Sequence, residues 1–195
     1  MKKFELTSEF VTFLGKKLFR IKALISFGNV KEGELGGFVE KEENLSNDGD
    51  AWVYGNARVS GNAEVYGNAR VYGNAEVYGN ARVSGNAEVH GDAWVYGNAE
   101  VSGNAWVYGD ARVSGDARVS GDADYATVHG FGSEYRTTTF FRTKAGDIGV
   151  RCGCFYGTLE EFRTKVKETH GETKTAKEYL MVADLMEFRF SEEEA

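Results

Sequence analysis

From Val53 to Asp124 the chain repeats Val, a variable residue, Gly, Asn or Asp, Ala and a second variable residue, through twelve six-residue units with no insertion, no deletion and no substituted valine. A period of six fits neither a helix nor an ordinary alternating strand, but it fits a short strand plus a corner in a parallel β-helix. The valines, Val53, Val59, Val65 and onward to Val119, are β-branched and suit a strand facing a narrow interior. Glycine with asparagine or aspartate tolerates left-handed backbone angles and marks the corner. Alanine follows where only a small side chain fits beneath the corner.

The residues before each valine test how many units make one coil. From Trp52 they read W, R, E, R, E, R, E, W, E, W, R, R, then Asp124. Two units per coil would stack Arg58, Arg70 and Arg82, and likewise Glu64, Glu76, Glu88 and Glu100, at the ~4.8 Å strand spacing where like charges repel. Three units instead stack Glu64, Arg82, Glu100 and Arg118 on one face and place Arg58 over Glu76 on another. Eighteen residues per coil is therefore expected, and the ladder acts as a device against slippage. Asn47–Trp52 and Leu35–Glu40 read as degenerate units, which brings the prism to about five coils.

Both flanks break the period. Residues 4–28 read as a β-hairpin, Phe4–Leu14 and Leu18–Phe27 about Gly15-Lys16-Lys17, capping the first coil. Thr137–Arg142 and Ile148–Phe155 read as a second hairpin. Thr158 with Glu161 forms a capping box, and Leu159, Phe162 and Val166 share a face, so a helix is expected over 158–170 with Gly171 as its stop. A second runs from about Thr175 to Phe190, burying Tyr179, Ala183 and Met186, and frays into Ser191–Ala195. The expected architecture is mainly β: a left-handed parallel β-helix of three hexapeptides per coil, an N-terminal hairpin cap and a C-terminal ββαα domain. Its segments are 1–34, 35–130 and 131–195.

The repeat resembles the hexapeptide-repeat superfamily, whose members form left-handed parallel β-helices with three flat faces. The flanks carry a second resemblance. Phe19-Arg20-Ile21-Lys22-Ala23-Leu24, Gly36-Gly37-Phe38-Val39-Glu40, Glu43-Asn44-Leu45-Ser46, Phe140-Phe141-Arg142-Thr143-Lys144, Cys152-Gly153-Cys154-Phe155 and Gly157-Thr158-Leu159-Glu160-Glu161-Phe162 look like an uncharacterised group of phage and prophage hexapeptide-repeat proteins. That resemblance implies a phage accessory protein without an assigned activity. Hexapeptide acyltransferases also resemble the repeat, and the likeness implies a histidine base, a loop thrown out of the coil and an acyl-CoA cleft between subunits. Here the repeats hold one histidine, His90, in line with Tyr54, Tyr72 and Tyr108, and no loop. His90 reads as a ladder member, and the chain as no enzyme with no cofactor.

Composition narrows the partners. The 195 residues carry a net charge of −7 and no proline. No segment is a basic nucleic-acid footprint, so direct nucleic-acid binding is not expected. No stretch is apolar enough for a signal peptide or a membrane span, which places the chain in the cytoplasm, for a phage protein that of the host. Cys152 and Cys154 read as reduced structural thiols, since His90, His129 and His170 are not spaced to complete a metal site.

Aromatics concentrate on one face, with Trp52, Tyr54, Tyr72, His90, Trp106 and Tyr108; a second carries Tyr78, Trp94 and Tyr96; the third holds Tyr66 and the Glu–Arg ladder. The first is the expected surface for a host or phage protein, or for a second copy in a dimer or trimer, because Tyr and Trp supply contact area at low entropic cost. Asp110, Asp116, Asp122 and Asp124 make an acidic end, which reads first as a solubility feature and alternatively as a nucleic-acid mimic or a surface for a basic partner. The expected function is a protein-binding or inhibitory one, with antagonism of a host defence nuclease, CRISPR or other, as its most concrete form. Acyl transfer from acyl-CoA and a structural, self-assembling role are the alternatives.

Overall fold

The computed structural model describes residues 2–191. The proposed fraying of the chain end falls mostly on 192–195, outside the described residues. The chain is a mainly β protein built on a parallel β-solenoid of about five coils, followed by two helices. Strands β1 (Phe4–Phe13) and β2 (Lys16–Ala23) form an antiparallel hairpin, and β3 (Leu35–Val39) pairs with β2 on one side. Twelve two-residue strands, β4 to β15, then recur every six residues from Trp52–Val53 to Arg118–Val119.

Every strand pair within the repeat is parallel and offset by eighteen residues, as in Glu88 with Trp106 and Val95 with Val113. Three sheets result: β4-β7-β10-β13, β6-β9-β12-β15, and a seven-stranded sheet β1-β2-β3-β5-β8-β11-β14 that takes in the hairpin. The valines and the alanines Ala51 to Ala117 are fully or almost fully buried, so the interior is two small residue types stacked on themselves. The corner glycines from Gly55 to Gly115 keep positive φ, and at Gly103 (φ 62°) a Cβ would run into the carbonyl of Ser120 on the next coil. The corner asparagines bond in ladders the repeat pattern did not suggest: Asn62 donates to Asn80 (3.2 Å) and Asn80 to Asn98 (3.1 Å), which donates to Asp116 (3.1 Å).

The hairpin turn is Leu14-Gly15, both with positive φ, which matches the twist of a two-residue hairpin better than the Gly15-Lys16-Lys17 turn expected from composition. At the other end the sequence reading needs correction. The sheet there has four antiparallel strands, β16 (Tyr125–Val128), β17 (Thr138–Arg142), β18 (Ile148–Cys152) and β19 (Phe155–Thr158), so the unit is ββββαα. Tyr125–Val128 follows the last repeat without a break, which hid it, yet it pairs with β17. A boundary at 130 therefore cuts this sheet. Helices α1 (Leu159–His170) and α2 (Lys174–Phe190) follow, and the Thr158–Glu161 capping box forms as expected.

The two ends of the solenoid are sealed by opposite chemistry. Inside the repeat, a backbone N–H donates to the carbonyl seventeen residues later, as Arg58 does to Ala75. The first coil leaves carbonyls without a preceding donor, and side chains supply one. Lys3 Nζ donates to Ala51 O (2.9 Å) and Gly49 O (3.2 Å), and Asn44 Nδ2 to Ala63 O (2.8 Å) and Gly61 O (3.1 Å). At the last coil the unpaired groups are N–H donors, and side-chain oxygens accept. Asp122 takes Trp106 N (2.9 Å), Thr139 Oγ1 takes Arg112 N (2.9 Å), and Asp124 takes the N–H groups of Ser120 and Gly121. Sealed edges of this kind oppose end-to-end growth.

Lys3 is 2% exposed, and burial pushes its ammonium from 10.5 down to about 8, against the pull of Asp50 and Asp48. Between those values the unfolded chain holds a proton the folded chain has lost, so stability rises with pH across that window, by up to about 3 kcal/mol. Above pH 10 the sign reverses: burial holds Tyr72 and Tyr78 up at about 12, so these phenols ionise first in the unfolded chain. Urea denaturation at successive pH values is expected to show a maximum between about pH 9 and 10. Lys3→Met removes the rise below it; a rise that persists in Lys3→Met rejects this assignment.

Candidate protein-binding face

The sheet β4-β7-β10-β13 carries the six residues expected to form a binding face, and it does not present them equally. Trp52 is fully buried. Phe4 and Phe27 cover it edge-on, with ring centroids 6.3 and 5.4 Å away, so it belongs to the N-terminal core and not to a partner surface. Tyr54, Tyr72 and His90 are half-buried, while Trp106 and Tyr108 are 52% and 55% exposed. The face therefore opens toward its C-terminal end.

Its rings also lie differently from a flat aromatic surface. Tyr72 and His90 stack at 4.6 Å with planes 4° apart, and His90 and Tyr108 at 5.6 Å and 15°. Stacking along the solenoid axis points ring edges outward and hides their faces, as the parallel register dictates for residues eighteen apart. Tyr72 Oη donates to Glu88 (2.8 Å), and burial with this bond pushes its phenol up to about 12, so it stays neutral. Arg70 reaches the same carboxylate at 3.5 Å. Tyr54, Arg70 and Glu88 line a polar groove of about 440 Å³ beside Asn29 and Asp50.

The second set, Tyr78, Trp94 and Tyr96, is partly roofed from both ends. Phe13 of the hairpin meets Tyr78 edge-on at 6.2 Å, and Arg151 of the terminal sheet lies 5.7 Å over Tyr96, which itself stacks on Tyr78 at 5.0 Å. Arg112 covers Trp94 at 4.7 Å. On the third face the ladder forms in the expected order: Glu64–Arg82 at 3.7 Å, Arg82–Glu100 at 3.9 Å and Glu100–Arg118 at 3.1 Å. These exposed pairs are each worth at most about 1 kcal/mol.

Of the acidic end, Asp110 is exposed, Asp116 terminates an asparagine ladder, Asp122 accepts from Trp106 N, and Asp124 seals the last coil while pairing with Arg142 at 3.5 Å. Asp122 also joins two surfaces: its carboxylate holds Trp106, and its carbonyl receives Arg189 of α2 at 3.5 Å. Helix α2 carries an apolar stripe the sequence reading missed. Met181, Leu185 and Phe188 are 71%, 57% and 79% exposed, at the spacing of one helix face. The signal lay in the sequence: α2 has apolar residues on two faces, more than one buried side requires. Among the described residues, no group of three His, Cys, Asp or Glu converges as a metal site, and no helix is long and apolar enough to cross a membrane.

The repeats match the family model of the YdcK Beta solenoid repeat at residues 51–65, 63–77, 75–91, 93–109 and 111–123. The chain is thus a repeat β-helix protein, similar to that solenoid across its periodic segment. No curated protein matches the chain.

Proposed function

We propose that this chain is a non-enzymatic, phage-type protein-binding protein that engages a host or phage protein through the open end of its aromatic face, with antagonism of a host defence system as the concrete form. The observation that carries the reading is the exposure of Trp106 and Tyr108, 52% and 55%, on a backbone held rigid by parallel pairing. Preorganised aromatics with little rotamer freedom are the residues that dominate protein interfaces. The exposed α2 stripe, on the helix whose Arg189 reaches the Asp122 carbonyl, offers a second apolar surface, and the carboxylate of Asp110 favours a basic partner. His90, sandwiched between Tyr72 and Tyr108, fits a ladder rather than a catalytic base. The finer fold assignment belongs to the same proposal. The eighteen-residue register supports three hexapeptides per coil, and the resemblance to hexapeptide-repeat proteins supports the left hand and the phage kinship.

Affinity capture from host lysate, comparing wild type with a folded Trp106→Ala, Tyr108→Ala double variant and with His90→Tyr, tests the reading. A protein held by wild type and His90→Tyr, and bound at least about tenfold more weakly by the double variant when purified, is the expected result. Loss of function in His90→Tyr alone, with affinity for coenzyme A, would move the assignment to acyl transfer. Recovery of a second copy alone would make the face one of self-association.

A further inference from the structure

The terminal sheet, the 133–136 segment and the two helices border an open cavity of about 320 Å³, which no residue of the aromatic face lines. Its wall is apolar, formed by Phe155, Phe162, Val166 and the ring of Tyr179. Phe155 and Phe162 lie 5.6 Å apart, and Tyr179 packs on Phe162 at 5.7 Å. Two tight glycines help shape it. A Cβ on Gly132 (φ 79°) would collide with the Tyr179 hydroxyl, and one on Gly153 (φ 57°) would press on Arg136. Burial and the neighbouring Cys152 raise the Tyr179 phenol, which therefore stays protonated.

Beside Ser133, Thr169 and the two cysteines, the acidic and basic side chains at this cavity are unevenly divided. Arg136, Lys165 and His170 line it against a single carboxylate, Glu134. Arg136 reaches Glu134 at 3.4 Å and Lys165 reaches Glu168 at 3.4 Å, both as largely exposed pairs. Pairs of that kind are worth under about 1 kcal/mol, so an incoming anion competes with them easily. We propose that the cavity is a binding site for a small amphiphilic anion, a carboxylate carried on an apolar body of about six to ten carbons, with the body against Phe155, Phe162 and Val166 and the carboxylate between Arg136 and Lys165.

Sodium octanoate titrated into the whole chain, followed by ligand-observed NMR, tests this, with octylamine as the cationic match. Octanoate is expected to bind saturably and at least about tenfold more tightly than octylamine, and Arg136→Glu with Lys165→Glu to remove that preference while the melting curve stays put. Cys152 and Cys154 line the same cavity. Saturating octanoate is therefore expected to slow their alkylation by N-ethylmaleimide. Non-saturable binding, equal affinity for octanoate and octylamine, an unaffected double variant, or alkylation unchanged at saturation would each overturn the proposal. None of these readouts involves Trp106 or Tyr108, so the result is independent of the protein-binding assignment.

Discussion

Trp52→Ala is expected to destabilise the fold by about 3–5 kcal/mol, the cost of emptying a large aromatic site that cannot collapse. The indole is fully buried between Phe4, Phe27 and the first coil, and its loss removes the side-chain packing of those two rings on the solenoid while the backbone pairing of the hairpin through β3 stays. Trp106→Ala occupies the equivalent repeat position in the same sheet, yet with half its surface already in water it is expected to cost under about 1 kcal/mol. Urea denaturation of both variants compares them directly. Equal destabilisation would mean that the N-terminal cover is not where the structure puts it.

The second large effect is expected at Asn44, a fully buried amide that no hydrophobic pattern would single out. Its Nδ2 supplies the carbonyls of Gly61 and Ala63, and its Oδ1 accepts from Lys41 N at 3.0 Å. Asn44→Leu keeps the branched shape, with larger methyls in place of the amide, and leaves three buried or part-buried backbone groups without this partner, a loss of about 2–4 kcal/mol. Asn62→Leu serves as the control, because its ladder bond to Asn80 is exposed; it is expected to cost under about 1 kcal/mol. An Asn44→Leu chain as stable as Asn62→Leu would show that the first coil needs no side-chain donor.

These two residues mark where the sequence stopped being legible. The repeat could be read because each unit solves the same local problem, a valine inward, a glycine at positive φ and an alanine beneath the corner, and the Glu64–Arg82–Glu100–Arg118 order carried the register. The capping box at Thr158 and Glu161 is equally local. Trp52 was misplaced because its cover comes from Phe4 and Phe27, residues from outside the period. Asn44 and Lys3 were overlooked for a related reason: they matter only because a periodic structure has a first coil, and its unpaired carbonyls become visible once the strands are in place. Tyr125–Val128 was lost to the repeat it follows, and Phe155–Thr158 to the helix it precedes. At the candidate site, the six aromatics share one sheet as expected. Only contacts from both ends decide that Trp106 and Tyr108 are the pair left open.

Hydroxyl-radical footprinting of the chain, alone and in complex with the partner captured by wild type, addresses the central assignment directly because it reads side-chain exposure. The account predicts that oxidation of Trp106 and Tyr108, with Met181 and Phe188 of the adjoining helix, falls on complex formation, while Tyr66 on the ladder face is unchanged. Protection confined to Tyr66 and the ladder face, with Trp106 and Tyr108 oxidised as fast as in the free chain, would contradict it.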